Sequence, residues 1–92
     1  MQKKARGIFV VLNAKGLHTR PSTELVKCAA GFRAHVNLSY RKYVVNAKSI
    51  LGILMLAAER GAKVSVEATG EDAEKAVQAI VKLAHNHFYK DY

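Results

Sequence analysis

One histidine, His18, stands where a turn gives way to what reads as the start of a helix, in the stretch KGLHTRPSTELVK from Lys15 to Lys27. Neutral imidazole is a nucleophile, and a phosphoryl group bonded to it would bring negative charge to that spot. Helix starts suit such a group. Their first backbone N–H groups point outward, and the helix dipole is positive there. The amides of Thr19 and Arg20 are the natural donors. The Arg20 guanidinium adds a permanent cation whose fork matches phosphate oxygens. Pro21 falls in the first turn, where a missing N–H costs little and a fixed φ stiffens the chain.

Other chemistry is less well supplied. A histidine beside a helix start is more often a surface or capping residue, and GLHTRP alone does not settle the matter. No further ligand lies at a metal-site spacing from His18. His85 and His87 are two residues apart, so they do not share a helical face. No G-x-S-x-G elbow accompanies the histidine, so a serine hydrolase is poorly supported. A second position of interest is Ser49, just before ILGILML. Its hydroxyl suits a helix N-cap, although no Glu or Gln stands at position 52 to complete a capping box. Ile50, Leu51, Ile53, Leu54 and Leu56 are too many apolar residues for one buried stripe. Some must face outward, and Leu51 and Leu54 are the residues chosen for that role.

These residues need a scaffold. Ile8–Asn13 reads as a strand with apolar residues on both faces, so its inward face is not fixed by pattern. Thr19–Ala30 reads as a helix with Ser22, Leu25, Val26 and Ala29 on one stripe and Gly31 as its stop. Arg33–Tyr40 alternates cleanly, with Ala34, Val36, Leu38 and Tyr40 on one side. Arg41-Lys42 turns the chain into Tyr43–Ala47, although the pair lacks the usual Gly or Asn. A helix follows from Ser49 to about Leu56, ended by Gly61. Lys63–Ala68 forms a further strand. Glu71 and Asp72 open a last helix, where their charge suits the dipole, with Ala73, Ala76, Val77, Ile80 and Leu83 or Ala84 inward. The order βαββαβα predicts an α+β, two-layer sandwich with helices on one face of a four-stranded antiparallel sheet. Strand order does not follow from the pattern.

Composition bounds the rest. A chain of 92 residues, half of them hydrophobic, makes one domain with one modest core. The core is expected over about 8–86, with a short solvated tail at 87–92 (HFYKDY). The single cysteine, Cys28, allows no intrachain disulfide and suits a reducing cytoplasm, with the thiol as a small core hydrophobe. The apolar run Ile8–Leu12 is shorter than the ~7–15 residues of a signal-peptide core. No run approaches the ~20 residues of a membrane span. Fifteen Lys and Arg against seven Asp and Glu give a net charge of +8, which favours acidic or phosphorylated partners. No RNP-like or helix-turn-helix pattern directs that charge to nucleic acid.

Three blocks, GLHTRPSTELV, VNLSYRKYVVNAKSILGILML and GAKVSVEATGEDAEKAVQAI, together resemble the HPr family of histidine-containing phosphocarriers of the bacterial sugar phosphotransferase system. The resemblance runs from about Phe9 to Ala84. It implies an open-faced β-sandwich with strand order 1-4-2-3 and three helices on one side. It implies a cytoplasmic carrier, not an enzyme, that takes phosphate from enzyme I and hands it to enzyme IIA components. His18 matches the phosphorylated position, through Nδ1 in the family, and Arg20 the active-site arginine. Ser49 matches the serine that HPr kinase/phosphorylase modifies in some bacteria, where ~1.5–2 added negative charges would repel the donor. Thr19, Arg20, Lys27, Lys48, Leu51, Gly52 and Leu54 form the expected partner face. Neither cofactor nor metal is implied, and a monomer is expected. Thr19 and Ser22 stand where many members carry alanine. The alternative is a regulatory module of the same family, in a nitrogen-type or catabolite-control branch, acting through protein binding and Ser49 phosphorylation.

Overall fold

The computed structural model describes residues 3–86 and 88. Its elements are β1 (Lys4–Val10), α1 (Thr19–Ala30), β2 (His35–Tyr40), β3 (Tyr43–Asn46), α2 (Ile50–Met55), β4 (Lys63–Thr69) and α3 (Ala73–His85). The four strands form one antiparallel sheet in the order β1-β4-β2-β3. The fold class and strand order are those expected of an open-faced sandwich.

Alternation fixes which face of the sheet is covered. Val64, Val66 and Ala68 of β4 and Val36 and Leu38 of β2 are buried, while Lys63, Glu67, His35 and Asn37 are exposed. Burying an aliphatic side chain of this size is worth roughly 1.5–3 kcal/mol, so the register is strongly specified. The helices supply the other half of the core through Leu25 and Ala29 of α1, Ile53 of α2, and Ala76, Ile80 and Leu83 of α3.

The first strand lies earlier than the pattern predicts. It begins at Lys4 and ends at Val10, and its inward residues are Phe9 and, beyond the strand, Val11. Ile8, Val10 and Leu12 face outward. Residues 4–7 look unlike a strand because Lys4 and Arg6 are exposed charges and because α3 crowds Gly7. A Cβ on Gly7 would lie 2.6 Å from a methyl of Val77, so only a minimal side chain fits there. Pairing from Lys4↔Thr69 to Val10↔Lys63 holds this segment through its backbone. The turn after β2 also departs from expectation in detail. Arg41 itself takes the left-handed φ of 57°, and its guanidinium lies 5.2 Å from the centre of the Tyr40 ring.

The C-terminal expectation needs correction. Phe88, assigned by sequence to a solvated tail, is fully buried and meets Phe9 edge to face, ring centres 6.2 Å apart. His87 and residues 89–92 lie outside the described residues. His85 is exposed at the end of α3.

Among the described residues no helix is long and apolar enough to cross a membrane, and no group of three or more His, Cys, Asp and Glu could hold a metal ion. Cys28 is half-buried, and burial pushes its thiol pKa up, away from the reactive thiolate.

Candidate functional site

His18 is the N-cap residue of α1, with extended backbone angles of φ −84° and ψ −168°. The first helical amide bond is Ser22 N–H to the His18 carbonyl, at 3.0 Å. The amides of Thr19 and Arg20 precede that bond and point out of the helix end, and Pro21 has none to offer. Three further contacts hold the segment. Gly16 N–H donates to Asn13 O at 3.0 Å, Leu17 N–H to Ala58 O at 2.9 Å, and His18 N–H to Gly16 O at 3.0 Å. Gly16 has φ +70°, and a Cβ there would run into the Ala58 carbonyl, so the turn needs glycine on two counts.

Ser22 acquires a clear role. It is fully buried, and its hydroxyl donates to the Leu17 carbonyl at 3.2 Å, tying the helix back to the residue before His18. Pro21 and Leu17 are buried beside it, so the backbone around the imidazole is anchored on both sides. His18 is half-buried with its Nε2 shielded from solvent, and Thr19 and Arg20 are exposed. His18 opens onto a concavity of about 570 Å³ shared with Lys15, Leu54, Ala57, Ala58 and Arg60. The C-terminal end of α2 is therefore the element that faces the histidine.

The expected partner face is only partly assembled. Leu51 is 66% exposed, as expected, but Leu54 is half-buried on the flank that meets His18. The outward companion of Leu51 is Met55, one helical turn on and 70% exposed. Gly52 faces inward: a Cβ there would stand 3.2 Å from Val45 of β3, so the glycine serves internal packing more than close approach by a partner. Lys27 is exposed and lies 3.7 Å from Glu24 on its own helix. Lys48 does not surround a patch near His18. Its ammonium donates to the Phe32 carbonyl at 2.8 Å, just past the C-terminal end of α1, about 18 Å along the helix from the histidine. The long aliphatic stem made that reach invisible in sequence.

Ser49 is the N-cap of α2, and its hydroxyl accepts the Gly52 N–H at 3.1 Å. The charge of Asp72, expected to suit the dipole of its own helix, is also engaged elsewhere. Asp72 occupies the N-cap position of α3 but makes no cap bond. Its carboxylate instead accepts the Arg33 and Ala34 amides, both at 2.9 Å. The Arg33 bond is the largest influence holding its pKa below the usual carboxylate value, with Lys48 a lesser one. Missing from the sequence reading were Lys15, Ala57 and Arg60, whose placement beside His18 depends on the Leu17–Ala58 bond.

The family model described as the PTS HPr component phosphorylation site matches residues 6–86. The chain belongs to the HPr family. A phosphocarrier protein HPr of Xylella fastidiosa is 40% identical over 83 residues, 90% of this chain and 93% of the relative. The crystal structure of HPr-C-His from Thermoanaerobacter tengcongensis superposes with a TM-score of 0.90 at 33% identity, covering 96% of this chain and 99% of that one. An HPr dimer from the same organism matches with a TM-score of 0.74 at 38% identity, over 79% of this chain and 84% of that one. The Xylella relative is a phosphocarrier by name, and the family is a component of the phosphotransferase system.

Proposed function

We propose that this chain is a phosphoryl carrier, not an enzyme in its own right, that receives phosphate from enzyme I on His18 and passes it to enzyme IIA components in the cytoplasm. The observation that carries this reading is the position of His18 as the N-cap of a proline-stiffened helix, half-buried at the edge of an open concavity. A ring nitrogen, Nδ1 by analogy with the family, gives its lone pair to phosphorus. The bond from phosphorus to the donor breaks, and the donor keeps that electron pair. Delivery to the acceptor is the same exchange with His18 as the leaving group.

The Thr19 and Arg20 amides and the Arg20 guanidinium receive the phosphoryl oxygens. Single helix-end charge effects are worth about 0.3–1 kcal/mol, enough to hold the group and too little to trap it. Thr19, Arg20, Leu51 and Met55 present the docking surface, and Lys27 adds charge at its margin. The carrier acts as a monomer and needs no cofactor. Where HPr kinase/phosphorylase is present, Ser49 is its target. A phosphate there would replace the hydroxyl that now caps Gly52 and add negative charge to the docking face.

Incubation with enzyme I and phosphoenolpyruvate is the test. The expected product carries an acid-labile, alkali-stable phosphate, and His18→Ala takes up none. Equal labelling of His18→Ala would refute the assignment.

A further inference from the structure

Arg20 does not line the concavity beside His18; Lys15 and Arg60 do. The histidine therefore has cationic neighbours on two sides, and only one of them follows from its place on α1. Building on the carrier reading, we infer that Lys15 and Arg60 form a second cationic subsite, a specificity-determining one, which receives carboxylates on the docking surface of the phosphoryl donor protein.

Several observations converge on this. Lys15 and Arg60 are exposed, and among the described residues neither forms an ion pair. The segments that carry them are tied together. Leu17 N–H donates to Ala58 O at 2.9 Å, and Gly16 closes the Lys15 turn onto Asn13 at 3.0 Å. The two cations are thus presented from a shared backbone frame, not from separate mobile loops. Leu17, Leu54, Ala57 and Ala58 line the same concavity. Glu59 is the single carboxylate on the rim.

The lining selects the ligand class, since the concavity of about 570 Å³ is hardly larger than the one of about 560 Å³ at the far end of the sheet. The concavity at His18 is open to solvent on one side, as suits side chains arriving on another protein. A lining of apolar side chains and two cations fits a segment that offers an apolar side chain flanked by carboxylates. Such rim charges act mainly on the rate of encounter and on its salt dependence.

The closing experiment compares two double variants that remove equal charge. Lys15→Gln/Arg60→Gln changes the concavity at His18. Arg33→Gln/Lys75→Gln changes a concavity of about 560 Å³ that those residues line at the far end of the sheet. Initial rates of phosphoryl uptake from enzyme I are measured against carrier concentration and sodium chloride. The first variant is expected to raise KM about tenfold, leave kcat unchanged, and flatten the salt dependence. The second is expected to stay within about twofold of wild type. Equal KM changes in both variants would assign the effect to net charge and overturn the subsite, as would an unchanged KM in the first. Wild-type protein that accepts no label removes the carrier reading itself, and the subsite with it.

Discussion

The two ends of the sheet use polar groups in opposite ways. At the end where β2 begins and β4 finishes, Asp72 accepts two loop amides and Lys48 donates to the Phe32 carbonyl. Gly70 lets the chain press against Ala34, where a Cβ would stand 2.8 Å from the Ala34 Cα. Asp72 and Lys48 direct their charge to backbone groups here, while Arg33, Glu71 and Lys75 stay exposed beside them. At the end where β1 finishes and β4 begins, Lys15, Arg20 and Arg60 are exposed around His18. Hydrogen bonds there fix the main chain, and the Lys15 and Arg60 side chains face solvent. The same fold thus has a closed end that stabilises it and an open end suited to transient chemistry.

Four substitutions would break or sharpen this contrast. The largest effect is expected for Arg20→Glu. Reversing a charge at the open end should slow transfer from enzyme I about 100-fold, with thermal stability close to wild type. Stopped-flow transfer and calorimetry read the two separately, and wild-type rates would remove Arg20 from the site. Next comes Gly16→Ala, expected to cost about 2 kcal/mol because the left-handed turn must shift away from Ala58. Chemical denaturation measures that cost, and slowed labelling of His18 should accompany it. Ala57 carries a positive φ of 50° in the same concavity, a conformation that penalises any Cβ. Ala57→Gly should therefore gain up to about 1 kcal/mol, less whatever the freer unfolded chain takes back; a loss would show that the Ala57 methyl matters.

The smallest effect at neutral pH is expected for Asp72→Asn at the closed end, and its value lies in its pH profile. The folded-state pKa of Asp72 is lowered, so its contribution is present above the ordinary carboxylate range and is lost as pH falls through the lowered folded value. Melting temperatures from neutral to strongly acidic pH should fall less steeply in Asp72→Asn than in wild type. Parallel profiles would show that the two amide bonds carry no charge-dependent stability.

The difference between the ends also explains what could be read from sequence. The boundaries of α1 were legible because its stripe, Pro21 and Gly31 are local signals. So was Ser49, whose cap acts three residues away. His18 was legible as a helix-mouth residue, and its meaning sharpened through resemblance to a family. The partners of Asp72 and Lys48 were not legible, since they lie 38 or 39 and 16 residues distant in sequence. Residues 4–7 hid a strand because Lys4 and Arg6 are exposed charges and because close packing against α3 demands glycine at position 7, where strand propensity would place a β-branched residue. On α2, helical spacing required outward apolar residues but did not fix the rotation of so short a helix, so Leu54 was chosen where Met55 was needed.

The Phe9–Phe88 contact joins the opening strand to a residue beyond the last helix. Pairings so remote along the chain require closing a large loop, and the entropy they lose is repaid only after the intervening elements have docked. A clasp completed that late adds little to the speed of assembly and acts chiefly by slowing escape from the native basin. The contact therefore bears on the lifetime of the folded chain more than on its rate of formation, through a ring that no local pattern marked as structural.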